Sequence, residues 1–336
     1  VRAAAIIVAM LTKVSSATRA ILAGINRTRR EHPVLFWFRV AVIVAVTTFF
    51  VVKRSIWTPD TLFIALLAIF VVLGQARVFV VRFAPFVLLL LAYDSFRGIA
   101  DDLNTYVNFW PMISFDRNMF GGVLPTTTLQ GWWWHGTLSW YDFYFYFLYA
   151  IHFVMPVALA VLIWKLKPKM YWEFVIAIVG LSFMAFITYI IFPAAPPWMA
   201  SDLGYIEPIH RISSDIWHAM GFQDFSKLYS QLSPNLVAAV PSLHSAYPLL
   251  FVLYFWRLFG VRKTWWLIVY PVSMWVGVVY LGEHYVVDFI LGAFYTIAAY
   301  YLAKWLAGRW TAYQPKYREH YIRGYKAGHA AAAKRR

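Results

Sequence analysis

Long apolar runs separated by short basic turns constrain this chain more than any other feature. They lie at about 34–52, 60–80, 84–100, 142–165, 172–192, 243–259, 264–282 and 285–306. A helix needs roughly 20 apolar residues to cross a bilayer, and within lipid each backbone N–H and C=O must find its partner inside the segment. The pattern predicts an all-α polytopic membrane bundle of eight transmembrane helices. Composition agrees, with 62% of residues hydrophobic and 13% charged, about half the charged share of a soluble domain. Aromatic residues make up 20% of the chain, and many sit at the ends of the runs, where interfacial belts form.

The net charge of +15 comes largely from the tails, through clusters such as Arg27, Arg29 and Arg30 and Lys334 to Arg336. Basic residues that flank apolar runs suit contact with anionic membrane lipids rather than nucleic acid. The short run Ala3 to Leu11, with Lys13 and Arg19 after it, predicts an interfacial helix rather than a signal peptide. The chain has no cysteine, so disulfides and thiolate metal sites are excluded. Lys165, Lys167 and Lys169 join the fourth and fifth runs, and Arg257, Arg262 and Lys263 the sixth and seventh. The basic-loop rule places these turns and both termini in the cytoplasm, with only Lys53 and Arg54 against it. Loops 101–141 and 193–240 then face outward from what is expected to be a plasma membrane. The first holds Asp116, Arg117 and Trp132 to Trp134, and the second opens with Pro193-Ala194-Ala195-Pro196-Pro197-Trp198. The tryptophans suit headgroup anchoring, and the prolines a rigid exit from the fifth run. The rest of the second loop, with His210, Arg211, Asp215, His218 and Asp224, is long enough to roof a pocket.

Two short stretches carry the chemistry: Pro241-Ser242-Leu243-His244-Ser245, and Gly282-Glu283-His284-Tyr285-Val286-Val287-Asp288. The chain runs down one apolar segment and back along the next between them, so His244 and His284 return to one level, and Asp288 shares a helical face with His284. A carboxylate at that spacing fixes the imidazole tautomer and stabilises the cation formed on nucleophilic attack. Ser242 is placed to cap a helix whose free N–H groups, near Ser242 and Leu243, suit a phosphate. His244 in that first turn can then protonate a leaving oxygen. A lone membrane histidine is usually a packing residue, but two at one level with a carboxylate read as a site. Zinc bound by His244, His284 and Asp288 is the competing functional reading; it would leave the phosphate site at the helix start without a purpose.

Pro-Ser-x-His followed some forty residues later by Gly-x-His-Tyr-x-x-Asp resembles the second and third motifs of the type 2 phosphatidic acid phosphatase superfamily. Phe192-Pro193-Ala194-Ala195-Pro196-Pro197-Trp198 ahead of them looks like the branch containing inositol phosphorylceramide synthases and their bacterial relatives. The resemblance covers residues 84–306, a six-helix core, and leaves 1–83, with two extra transmembrane helices, and the basic tail 307–336 as additions. It implies that His284 attacks phosphorus to form a phosphohistidine, Asp288 orients it and His244 is the general acid, with no cofactor or metal. Two departures stand out. The first motif is reduced to Phe192-Pro193, and the Ser-Arg pair expected before the nucleophile aligns with Gly277-Val278. Three phosphate-clamping cations are thus missing, each expected to contribute about 1.5 to 3 kcal/mol. Arg97, beside Asp94 and Asp101, and then Arg211 are the candidates to replace them, although a salt bridge explains Arg97 equally well. Fewer cations suit a singly charged phosphodiester, hence head-group transfer more than phosphate release.

His152 reads as a core hydrogen-bonding residue, Tyr141 and Asp142 as either headgroup contacts or helix-end caps, and Glu283 as pointing away from the chemistry. The expectation is a membrane enzyme that acts on a lipid phosphate through His284, His244 and Asp288, with water or an alcohol as acceptor. A polytopic transporter or scaffold with proton-binding histidines is the alternative of another class.

Overall fold

The computed structural model describes residues 27, 29–53, 59–152, 154–221 and 235–313, which are mostly helical, with isolated β-bridges and no strand among the described residues. The interfacial run Ala3 to Leu11, Asp224 and the Lys334 to Arg336 cluster fall outside them. The chain forms two compact units, residues 1–87 and 88–336.

In the first unit, α1 (Pro33–Lys53) packs on α2 (Pro59–Val72), and α3 (Ala76–Arg97) begins. Phe70, Phe79 and Phe83 stack in a buried column with centroids 4.5 and 4.6 Å apart. The second and third apolar runs, 60–80 and 84–100, predict a junction around Arg77 and Arg82; the break instead falls at Leu73–Gln75. Gly74 takes the left-handed conformation, φ 69°, while Gln75 N–H donates to Phe70 C=O at 2.8 Å and Gly74 N–H to Val71 C=O at 3.0 Å. This pair of bonds terminates a helix on glycine, and Arg77 and Arg82 become the opening turns of the next.

The second unit contains α4 (Ala100–Leu103), α5 (Trp110–Met119), α6 (Pro125–Trp133), α7 (Trp140–Ile151), α8 (Met155–Leu166), α9 (Tyr171–Ile191), α10 (Pro197–Asp202), α11 (Ile212–Ala219), α12 (Leu243–Phe259), α13 (Val261–Thr264), α14 (Val269–Tyr280) and α15 (Val286–Tyr313). α15 packs on α9 and α12, and α14 on α12 and α7. Where α15 meets α12 there is no room for a side chain. A Cβ on Gly292 would lie 2.8 Å from the Ser242 carbonyl oxygen, and one turn on Thr296 donates to the Ala246 C=O at 3.1 Å. At the far end of α12, Glu173 is buried against Arg257 and Tyr254.

Among the described residues, three helical segments are long and apolar enough to cross a membrane: Ala76–Arg97, Pro168–Ile191 and Val286–Trp310. The run expected as one span over 142–165 is two helices, α7 and α8, bent by 59°. Pro156 explains the break, because it has no N–H to give the His152 carbonyl and disfavours helix in the residue before it. The run 264–282 likewise starts as a 3₁₀ turn, Trp265–Ile268, before α14, since Pro271 cannot donate to Leu267. Outside the helices, three segments are stitched by parallel bridges pairing Ala194 with both Asn108 and Ala238. Ala194 and Ala195 are fully buried in that seam.

Candidate active site

The two motif histidines meet at two helix starts. Ser242 is the N-cap of α12, its hydroxyl accepting from Ser245 N–H at 3.3 Å and from the Ser245 hydroxyl at 3.0 Å. Ser242 N–H in turn donates to the Asp288 backbone carbonyl at 3.1 Å. The predicted cap is present, with Leu243 and His244 in the first turn as expected. The Ser242 hydroxyl itself is fully buried in holding the turn, so what this corner can present to a phosphate is the helix start.

The second corner accounts for five successive backbone donors. His284 N–H goes to Val278 C=O at 3.1 Å, Tyr285 N–H to an Asp288 carboxylate oxygen at 2.9 Å, and Asp288 N–H to Tyr285 C=O at 3.3 Å. Between these, Val286 and Val287 N–H donate to the two carboxylate oxygens of Asp116, at 2.8 and 3.1 Å. Gly282, with φ 80°, makes the turn into this corner and lies too close to the His210 carbonyl for a larger residue.

His284 Nδ1 lies 3.1 Å from the Asp288 carboxylate, and its Nε2 lies 3.3 Å from His244 Nδ1. With Asp288 ionised, Nδ1 of His284 carries the proton and donates, which leaves a lone pair on Nε2 to accept from His244. The three groups form a line of shared protons. In that line the ring nitrogens are engaged with each other rather than aimed at a common ion, and among the described residues no group of three His, Cys, Asp or Glu is arranged to hold a metal. His284 and Asp288 are 6% and 0% exposed. Burial keeps water from competing for these bonds and strengthens each charge in the line.

His244 is held between two rings. Tyr149 stacks on it with centroids 4.1 Å apart and planes at 11°, and His152 lies 4.0 Å away on a tilted plane. The hydrogen bond expected of His152 is there, to Tyr149 C=O at 2.8 Å. Its contact with His244 was not foreseen, because it depends on the break between α7 and α8. Tyr141 packs in the apolar cluster and Asp142 closes a capping box with Ser139 while accepting from Tyr280 at 2.6 Å. Of the two readings of Asp142, the cap is the one observed.

The substitute cations diverge. Arg97, 13% exposed at its side chain, pairs with Asp94 at 3.2 Å, the salt bridge weighed as its plain explanation. Its charge lies near enough to be felt at Tyr93, His152 and His244. Arg211 does not stand open to a phosphate: it pairs with Glu283 at 3.0 Å and lies over the Trp198 ring at 3.9 Å. Glu283, expected to play no part, is 3% exposed and accepts also from Ser213. With Gln130, which bonds His210 N–H at 2.8 Å and the Tyr280 carbonyl at 2.9 Å, this cluster ties α6, α11 and the loop before it to the His284 corner.

Asp116 is the residue that sequence reasoning passed over. It was noted only as part of a loop, and nothing local marks it, since its partners lie 170 residues later. It is 1% exposed. Burial pushes its carboxyl up to about 6, against the pull of the two backbone N–H bonds, and the Asp288 charge adds to the rise.

Paired helix starts thus present a buried Asp-His-His line, an arrangement chemically suited to phosphoryl transfer. The chain belongs to the PAP2 superfamily, whose family model matches residues 112–302. It is an integral membrane enzyme of lipid phosphate chemistry, which removes the transporter alternative. It is similar to the phosphoinositol dihydroceramide synthase of Bacteroides thetaiotaomicron, 26% identical over 230 residues that cover 64% of this chain and 73% of the relative. It is also similar to the inositol phosphorylceramide synthase of Candida albicans, 28% identical over 183 residues that cover 50% of this chain and 36% of the relative. No solved structure matches the chain.

Proposed function

We propose that the protein transfers a phosphorylinositol group from an inositol phospholipid to the hydroxyl of a ceramide-type lipid. The observation that carries this reading is the continuous line from Asp288 through His284 to His244 at two helix starts. In the first half-reaction His284 Nε2 attacks phosphorus, a P–N bond forms, and the P–O bond to the glycerol lipid breaks. Protonated His244 gives its proton to the departing oxygen. In the second half the acceptor hydroxyl gives its proton back to His244, its oxygen attacks phosphorus, and the P–N bond breaks. Asp288 holds the His284 tautomer and stabilises the cation in both halves. The phosphate rests on the helix start at Leu243 and His244, with Arg97 as the candidate cation; a phosphodiester, with one negative charge, needs fewer than a monoester. The two similar proteins, both synthases of inositol-bearing ceramide lipids by name, and the absent clamp cations favour transfer over hydrolysis.

The core is residues 84–306, with 1–83 and 307–336 as additions, and the apolar runs make eight crossings, the bent pair α7 and α8 counting as one. Both termini and the lysine and arginine turns lie in the cytoplasm, and the site opens on the other face of the plasma membrane. The test is the purified enzyme with phosphatidylinositol and ceramide, and separately with phosphatidic acid. A new inositol-containing sphingolipid supports the reading. Phosphate release from phosphatidic acid with no transfer product overturns it in favour of hydrolysis.

A further inference from the structure

We infer that Asp116 is a positioning residue for the phosphohistidine chemistry, holding the two N–H groups at the start of α15 and thereby the turn that presents His284 and Asp288. The inference rests on the roles proposed for those two residues. Its geometry is complete: both Asp116 oxygens are used, one on Val286 and one on Val287. On the same turn Asp288 takes Tyr285 N–H and His284 Nδ1. Two carboxylates from chain positions far apart thus clasp one helix start, where the helix dipole favours negative charge. Release of the Asp116 clasp frees the peptide planes of residues 286 and 287, directly between the nucleophile and the carboxylate that orients it.

The chemistry of the side chain argues for position rather than mere capping. Serine, threonine or asparagine would cap a helix at lower burial cost, yet an asparagine has only one acceptor oxygen and turns an N–H₂ on the second amide. Only a carboxylate gives each amide an acceptor oxygen of its own. The groups around it are Asp288, the Tyr285 phenol and Arg117, and Arg117 is engaged with Glu207 at 2.6 Å. Burial pushes the acid up to about 6, so that at neutral pH the fold sustains a charge it would hold more easily elsewhere.

The experiment is Asp116→Asn in the full-length enzyme, read by kcat, KM and thermal stability at pH 7.5. The expected result is a fall in kcat of about 10-fold or more, with KM within twofold of the unchanged enzyme and no loss of melting temperature. A purely structural cap would lower stability and leave the turnover of the folded fraction alone, and that result, or kcat within twofold of the original, overturns the inference. If the variant does not fold, hydrogen exchange of the unsubstituted enzyme decides: Val286 and Val287 amides protected by about 100-fold or more support the clasp, and free exchange overturns it. Exchange is read without substrate, and kcat is taken on whichever lipid phosphate the enzyme turns over. Failure of the inositol transfer reading therefore shows separately, as a missing transfer product.

Discussion

Gly292→Ala should separate the two histidines without touching either. The Cβ it adds would sit 2.8 Å from the Ser242 carbonyl oxygen, where ordinary contact begins at 3.4 Å. The obstacle is backbone, and Ser242 is pinned by its bond to the Asp288 carbonyl, so the helices must part by about 0.6 Å. That displacement exceeds the roughly 0.5 Å within which a functional constellation must be held. It also takes the His284 to His244 distance from 3.3 Å beyond hydrogen-bonding range. With about 100-fold lost per ångström of misplacement, kcat should fall roughly 10- to 50-fold, alongside an overpacking cost of about 1 to 3 kcal/mol. The assay is lipid transfer in mixed micelles, with melting followed on the same preparation. Gly308→Ala is the control, since it lies on the same helix with nothing within 4 Å of its Cβ and should be neutral or stabilising by up to about 1 kcal/mol. Unchanged kcat in Gly292→Ala, with normal stability, would refute the idea that this close approach sets the spacing of the rings.

His284→Ala should abolish the acid-labile phosphoenzyme in a rapid-quench experiment, whereas His244→Ala should form it slowly or let it accumulate, with turnover reduced about 100- to 10,000-fold. Arg211→Ala should cost about 3 to 5 kcal/mol by stranding buried Glu283, and adding Glu283→Gln should restore much of it in a denaturation assay; a raised KM at unchanged stability would instead make Arg211 a phosphate ligand. Because the Asp116 carboxyl is raised from 3.8 to about 6 in the fold, the folded state holds that proton where the unfolded chain has lost it. Its contribution should therefore be greatest below about pH 4, fall as pH rises to about 6 by up to about 3 kcal/mol, and then stay level. The slope should be flatter in Asp116→Asn, as checked by melting across pH.

The readable parts of the site were those set by local spacing. Four residues from His284 to Asp288 put both on one face wherever a helix forms, and Pro241-Ser242 ahead of an apolar run already specified a cap. Apolar length also marked most helices, but it cannot see a proline that breaks a helix from within, as Pro156 does, or a left-handed glycine that moves a turn, as Gly74 does. Contacts between distant segments left no local trace. The Asp116 clasp, the aromatic slot around His244 and the Glu283 to Arg211 pair each join residues from separate helices or loops, so no periodicity announces them. Arg97 was legible as a cation near the end of a helix, with the neighbouring Asp94 as its partner.

In the proposed mechanism the attacking nitrogen, His284 Nε2, is stoppered at rest by its own partner, His244 Nδ1. A phosphorus atom can reach it only by trading places with that bond, worth about 1 kcal/mol, in a slot where the Tyr149 and His152 rings keep the second imidazole from swinging aside. Small soluble esters bring little binding energy to that exchange, while an anchored lipid brings the adhesion of its whole head group. On that mechanism the idle enzyme would be guarded against adventitious phosphorylation until a membrane-borne substrate displaced the bond.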